Sequence, residues 1–231
     1  MDISHEDQQQ IWDKEHQKPR VLQQMDSAEA SSGVMKFYEF LVNNQIRSGK
    51  GVELGCGKGR NSIWLAQQGY EMWGFDFSPV AIEEAKHRST TVSDRAHFLV
   101  QDATEAWNFD DASFDFGIDC FATTDIESEE GRKKAVKEMY RVLRPGAYLL
   151  AYLLSPEDGF HKEMLEKRPA SERNAFHHET GKFEKVFDDQ DIQKTFEDSG
   201  FTIIKHERIA KTPVFYGKSY PSSHHWLVLQ K

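Results

Sequence analysis

Val34, Phe37, Tyr38, Leu41 and Val42 recur at three- and four-residue spacing, which predicts a helix with one apolar face. Residues 1–48 read as helical throughout, and Gly49 and Gly51 end that rhythm. Short apolar runs then alternate with amphipathic stretches. The runs 52–54, 70–75, 97–100 and 114–118 predict strands. Residues 147–154 show almost no polar alternation, as expected of a strand buried on both faces of a parallel sheet. Between the strands, 60–68 predicts a helix stopped by Gly69. Ser78 and Pro79 open another that runs to about Arg88, with serine as cap and proline in the first turn. A third carries Ala135, Met139 and Val142 and ends before Pro145 and Gly146. Ile192 and Phe196 mark a last helix closed by Gly200. Residues 201–204 and 226–229 then read as two strands joined by a long loop, which suits an antiparallel hairpin on a sheet edge.

Repeated strand–helix units predict an α/β, doubly wound sheet with right-handed crossovers and helices on both faces. The 231 residues suffice for one such domain with length left for a cap. The expected division is an N-terminal helical cap (1–48), a ligand-binding core (49–154), an inserted cap (155–187), and a C-terminal helix with hairpin (188–231). The insertion exceeds what a compact domain usually spends on a connection, and its middle, 162–173, looks helical.

Charge narrows the partners. The chain has 38 acidic and 29 basic residues, a net charge of −9, which argues against a phosphate backbone as partner. The apolar run 147–154 is far short of the roughly 20 residues that cross a bilayer. With a polar start, residues 1–20, and only Cys56 and Cys120, the expectation is a cytoplasmic protein with no disulfide framework and no membrane contact. Both cysteines read as small, semi-buried residues. The histidine clusters His177-His178-Glu179 and His224-His225 lack the spacing that puts metal ligands on one face, so no metal is expected.

The segment Val52-Glu53-Leu54-Gly55-Cys56-Gly57-Lys58-Gly59 follows a strand and opens a helix. Alternate glycines let the backbone turn sharply against a ligand. A dinucleotide fingerprint would place its third glycine where Arg60 stands. The acidic Glu53, two positions before the first glycine, suits a ligand with a cationic amino-acid moiety better than a pyrophosphate.

This run resembles the first motif of class I S-adenosylmethionine-dependent methyltransferases, and the order of later motifs agrees. Asp76 ends the second strand, Gln101-Asp102-Ala103 the third, and 114–120 looks like the fourth-strand motif. Residues 140–147 (Tyr-Arg-Val-Leu-Arg-Pro-Gly-Ala) look like that family's entry into the fifth strand. The resemblance covers 48–154 strongly and the final hairpin loosely, with 59–62 and 66–70 closest to small-molecule enzymes. It implies a Rossmann-like sheet of seven strands, mostly parallel with an antiparallel C-terminal strand. It implies S-adenosylmethionine as cofactor, with S-adenosylhomocysteine as product. The implied cofactor-binding residues are Glu53, Gly55, Cys56, Gly57, Gly59, Asn61, Asp76, Phe77, Asp102, Ala103 and Asp119. Asp76 would accept both ribose hydroxyls, Asp102 would lie near the adenine amino group, and Asp119 would face the sulfonium end.

A methyltransferase mainly holds a nucleophile in line with an electrophilic methyl group and excludes water. Asp119 and His178 are the two base candidates. Trp12, Phe37 and Tyr38, the insertion's Phe160, Phe176, His177, His178 and Phe183, and the loop 211–224 with Phe215, Tyr216 and Tyr220 are expected to shape the acceptor pocket. The expected acceptor is a small molecule, and the expected state is a monomer or homodimer. Three readings compete: a protein methyltransferase, a non-catalytic cofactor-binding protein, and a nicotinamide-dependent oxidoreductase. Arg60 and the antiparallel C-terminus speak against the last.

Overall fold

The computed structural model describes residues 4–18, 27–211, 214–215 and 218–231. Two helices come first, α1 (His5–Gln17) and α2 (Ser32–Asn43). They are separate helices with a non-helical stretch over 27–31, so the expectation of continuous helix over 1–48 is corrected. Five strands and four helices follow: β1 (Lys50–Leu54), α3 (Arg60–Gln67), β2 (Glu71–Asp76), α4 (Pro79–Arg88), β3 (Ala96–Val100), β4 (Phe114–Cys120), α5 (Ala122–Asp125), α6 (Glu129–Val142) and β5 (Leu143–Leu153). Local chemistry starts α4 where the pattern placed it, and starts α6 in the same way. The Ser78 hydroxyl accepts from Ala81 N at 3.2 Å with Pro79 in the first turn, and Ser128 does the same for Gly131 N at 3.0 Å.

The insertion folds as α7 (Gly159–Lys167) and a small antiparallel hairpin, β6 (Ala175–His177) with β7 (Phe183–Lys185). The helix ends earlier than the expected 162–173 because Pro169 follows, and the residue before a proline is pushed out of helical geometry. The chain closes with α8 (Asp189–Phe196), β8 (Thr202–Lys211), a two-residue pairing of β9 (Val214–Phe215) with β10 (Lys218–Ser219), and β11 (Ser222–Gln230).

The main sheet has seven strands in the order β3-β2-β1-β4-β5-β11-β8. β1 to β5 pair in parallel, and β11 runs antiparallel to both β5 and β8. β11 therefore lies inside the sheet and, of the two hairpin strands, β8 alone is an edge strand, opposite β3 at the other edge, which refines the expected edge hairpin. Its outer half, with His224 and His225, reads as polar, so the pattern marked only the apolar 226–229. Helices cover both faces. Val34, Phe37 and Leu41 of α2 pack with Leu65 of α3 and Ile82 of α4 against one face. Ala135, Met139 and Val142 of α6 and Ile192 and Phe196 of α8 pack against the other. Phe37 and Tyr38 belong to this core, where Tyr38 meets the rings of Trp64 and Tyr70 edge-on, and they do not reach the crevice beyond the strands. Among the described residues, no helix is long and apolar enough to cross a membrane.

Candidate functional site

The carboxyl ends of β1, β2 and β4 open onto a cavity of about 500 Å³. Such ends are where open parallel sheets take ligands, because the strand order reverses there. The glycine loop forms its floor. Gly55 has φ +60°, and a Cβ there would come within 2.5 Å of the Ala122 Cβ, so no larger residue fits. Gly59 (φ +79°) turns the chain into α3 and does not itself line the cavity. Glu53 is buried and clamped by Asn61 Nδ2 at 2.7 Å, Ser62 N at 3.1 Å and Ser62 Oγ at 2.5 Å. Burial nevertheless pushes its pKa up to about 7, against the lowering effect of those donors. Asn61 in turn accepts from Ser31 N at 2.8 Å, which ties the loop to the start of α2.

Asp76 ends β2 at only 7% exposure and faces the same cavity. Its two oxygens accept from Gly57 N and Ser78 N, each at 2.9 Å. Burial lifts its pKa to about 6 despite those two bonds. Phe77 and Ala103 provide apolar wall nearby. Asp102 takes Thr104 N and Oγ1 on one oxygen, both at 2.8 Å, and His5 Nε2 on the other at 2.6 Å. His5 also bonds Glu127 and sits 5.7 Å from the Phe77 ring. Its burial works to lower the imidazole pKa, but the two carboxylates outweigh that and raise it. Glu53, Gly55, Cys56, Gly57, Asn61, Asp76, Phe77, Asp102 and Ala103 all line the cavity. Burial raises both thiols, Cys56 well above its ordinary value and Cys120 to about 11, so neither is a ready nucleophile.

The two base candidates fall elsewhere. Asp119 is buried with its oxygens turned to the start of α5, accepting from Ala122 N (3.0 Å), Thr123 N (3.1 Å) and Thr123 Oγ1 (2.6 Å). These bonds hold the chain after β4 at the start of α5, and Asp119 is not among the cavity-lining residues. His178 is 2% exposed, with Nε2 3.1 Å from a Glu184 oxygen and its ring stacked on Phe160. It stands behind the cavity wall, because the β6–β7 turn directs it into the apolar cluster of Phe160, Phe176 and Tyr220. His177 Nδ1 lies 3.3 Å from the Gly181 carbonyl. Phe160, Phe176 and Tyr220 thus pack the cap and do not line the crevice, nor does Phe183. Of the other pocket residues expected, the Phe215 side chain and Tyr216 lie outside the described residues.

The lining also includes residues that the pattern did not single out. Asp125, Leu154, His161 and Glu184 line the wall beyond the glycine loop together with His224, the last residue of the loop 211–224 expected there, and Phe121 holds φ +68° where β4 turns into α5. His161 is placed by its helix: Asp158 caps α7 with bonds to Phe160 N (2.8 Å) and His161 N (3.2 Å). Trp12 and His16 reach in from α1, which covers part of the crevice. Gln8 fastens that helix to the hairpin through Gly181 O (3.1 Å) and Phe183 N (3.3 Å), and Gln9 bonds Phe77 O at 2.6 Å. Away from the cavity, Asp189, His206 and His225 bring their ligand-type atoms within 4.8 Å of one another. Arg208 donates to His225 Nε2 at 2.8 Å, which leaves the proton on Nδ1, bonded at 2.8 Å to His206 Nε2. Those bonds already use the nitrogens that a metal would need.

Residues 52–146 match the sequence profile of a methyltransferase domain. YqeM of Bacillus subtilis (strain 168) is 31% identical over 102 residues, 44% of this chain and 41% of that protein. The chain spans between 34% and 47% of the length of the curated relatives it matches. Among solved structures, an S-adenosylmethionine-dependent methyltransferase from Methanosarcina mazei superposes with a TM-score of 0.72 at 26% identity, over 84% of this chain and 97% of that one. The 1,6-didemethyltoxoflavin-N1-methyltransferase of Burkholderia thailandensis, solved with 1,6-didemethyltoxoflavin and S-adenosylhomocysteine bound, shares the fold at 14% identity (TM-score 0.64, covering 87% and 78%).

Proposed function

This chain carries a class I S-adenosylmethionine-dependent methyltransferase domain, and on that premise we propose that it methylates a small-molecule acceptor held in the cavity beyond the glycine loop. S-adenosylmethionine is the cofactor of the domain, and its sulfonium supplies an electrophilic methyl group. The residues present fit it. Asp76 is a buried, cavity-facing carboxylate whose hydrogen bonds among the described residues are two backbone N–H groups, so it keeps acceptor capacity for a ribose diol. Phe77 and Ala103 offer apolar surface to a purine, and Asp102 offers a carboxylate to its amino group. The glycine loop lets backbone approach the amino-acid part without a Cβ in the way.

The observation that carries the small-acceptor reading is the roof. α1 and the β6–β7 hairpin, joined by both amide atoms of Gln8, cover the crevice and restrict it to about 500 Å³. A volume of that order suits a small ligand. That roof also excludes water from the reacting centre and fixes the acceptor's approach. The Burkholderia thailandensis enzyme, whose bound acceptor is a small molecule, supports the same reading. Calorimetry should find one site per chain for S-adenosylmethionine or S-adenosylhomocysteine and none for NAD. Methyl transfer from labelled cofactor should appear in a low-molecular-weight fraction of a metabolite extract. Label found only in protein would sink the small-acceptor reading, and no binding of either cofactor form at millimolar concentration would sink the function itself.

A further inference from the structure

A half-buried carboxylate, a buried one and a buried ammonium meet under the roof. Lys182 Nζ lies 2.8 Å from Asp125 Oδ1 and also bonds Glu184. The Trp12 ring covers this ammonium at 4.7 Å. Asp125 and Glu184 both line the cavity, whereas Lys182 does not. The face turned to a ligand is therefore acidic. Burial, with Glu184 adding to it, raises the Asp125 pKa to about 7 in spite of Lys182. The cavity's own cations, Lys58 and Arg60, belong to the glycine loop, where Arg60 acts on Glu53.

His161 stands beside this acidic pair at 2% exposure. Its Nδ1 is 3.0 Å from the Ser155 carbonyl, which can only accept, so Nδ1 carries the hydrogen and Nε2 the lone pair. Nε2 has no hydrogen-bond partner among the described residues, although the ring lines the cavity. Behind the ring, Asp158 Oδ1 lies 3.7 Å from Nδ1, and Asp158 Oδ2 is buried without a partner. The charged and titratable groups around His161 are Asp158 at the start of its own helix, Glu184 on β7 with His178 bonded to it, and Arg208 of β8, which donates to Ser155 Oγ at 2.6 Å, with Lys182 and Asp125 beyond Glu184. An oriented imidazole, backed by a carboxylate and presenting a bare lone pair to a cavity, has the build of a general base.

We infer that the far end of the cavity binds its acceptor through a protonatable amine nitrogen, which Asp125 and Glu184 hold as a cation and His161 deprotonates for methylation. The inference rests on the methyl-transfer reading above. The nitrogen's proton passes to His161 Nε2, and the imidazolium is stabilised by Asp158 and Glu184. The freed lone pair forms the bond to the methyl carbon as that carbon's bond to sulfur breaks, the electron pair staying on sulfur. Atoms and charge balance with no further reactant.

The test uses the full chain saturated with S-adenosylhomocysteine and probes on benzyl, phenylethyl and indolylethyl frames, each with an amine, alcohol, thiol or carboxylate head. Calorimetry should show the amine binding at least tenfold tighter than the other heads. Asp125→Asn and, separately, Glu184→Gln should weaken amine binding tenfold or more while S-adenosylhomocysteine affinity stays within threefold. With S-adenosylmethionine, His161→Gln should keep amine binding, cut turnover at least tenfold at pH 7, and recover as pH approaches the amine's own pKa. Amines that fail to bind, a preferred alcohol, thiol or carboxylate, or a His161→Gln pH profile parallel to that of the wild type would each overturn the inference. Intact S-adenosylhomocysteine binding in those cases would leave the methyltransferase reading standing, and its absence would remove both.

Discussion

Asp76 and Asp102 both end strands and both offer a carboxylate to the cavity, yet their surroundings differ. Asp76 is held by two backbone N–H groups and otherwise faces the cavity, where the proposed cofactor site would put a ribose. Asp102 already has three donors, two from Thr104 and one from His5. A ligand at Asp76 thus supplies bonds that nothing else makes, whereas at Asp102 it replaces an existing partner. Asp76→Asn is expected to weaken S-adenosylhomocysteine binding by about 1.5–3 kcal/mol, the worth of a hydrogen bond to a charged group, and Asp102→Asn by less. Calorimetry on variants of native circular dichroism decides it, and equal losses would contradict the ranking. The pKa of Asp76, raised to about 6, adds a pH dependence. In the proposed cofactor site the ionised form would accept both ribose hydroxyls, and it is depleted below about pH 6. His5, raised by Glu127 and Asp102, is also more fully charged at low pH and then grips Asp102 harder. Both effects act in one direction, so affinity should rise between pH 5 and pH 7. A flat profile over that range would show that neither carboxylate meets the cofactor.

The roof depends on elements more than on single side chains, and α1 is its keystone. Gln8 supplies the acceptor for Phe183 N and the donor for Gly181 O, so one amide closes a helix onto a hairpin 173 residues away in sequence. Gln8→Ala leaves both backbone groups without that partner, at a cost of about 1–3 kcal/mol for each group that water cannot reach. The Phe183 amide should exchange with solvent markedly faster in that variant, and KM for the acceptor should rise more than Kd for the cofactor. Unchanged exchange at Phe183 would mean that the hairpin holds without the helix. This roof also marks where sequence reading stopped. β1, β2, β4 and the glycine loop were legible because local signals sufficed: alternate glycines, Ser78-Pro79 at a helix start, and an unbroken apolar run into β5. His161 was not legible, because what makes it chemical is the Ser155 carbonyl and a Glu184 that arrives from another element. His178 looked equally good in sequence, yet the β6–β7 turn points it behind the wall. Asp119 stood at the right strand end, and only the fold brings it the three donors at the start of α5. A one-residue alternation states which face a strand residue takes, not which cavity a loop residue enters.

For the molecule as a whole, the site concentrates buried acid at one edge of the sheet. Glu53, Asp76, Asp119 and Asp125 all have pKa values raised by burial, to about 7, 6, 6 and 7. Each binds its proton more tightly in the folded chain than in the unfolded one. Their contribution to stability is therefore complete below about pH 4 and is lost as pH rises through the range up to about 7. Glu184 is shifted the other way by Lys182 and His178, against its own burial, but its titration lies well below pH 5 and does not enter this interval. His225, lowered to about 4 by burial and Arg208, and His206, also lowered by burial, do oppose the trend, since they favour folding as pH rises towards their unfolded value. Four carboxyl groups outweigh two imidazoles. Without ligand, the melting temperature should therefore fall between pH 5 and pH 7.5, against the usual expectation of maximal stability near neutrality. S-adenosylhomocysteine should reduce that fall, because ribose hydroxyls stabilise ionised Asp76 and binding adds stability by mass action. Asp119→Asn supplies a separate check, since Asp119 lies outside the cavity and its amide replacement no longer titrates. That variant should show a shallower decline with pH whether or not the cofactor is present. Thermal unfolding followed by circular dichroism at pH 5, 6, 7 and 7.5 measures all three slopes. A ligand-free melting temperature that climbs across the interval would mean that these carboxylates are better solvated than their burial implies.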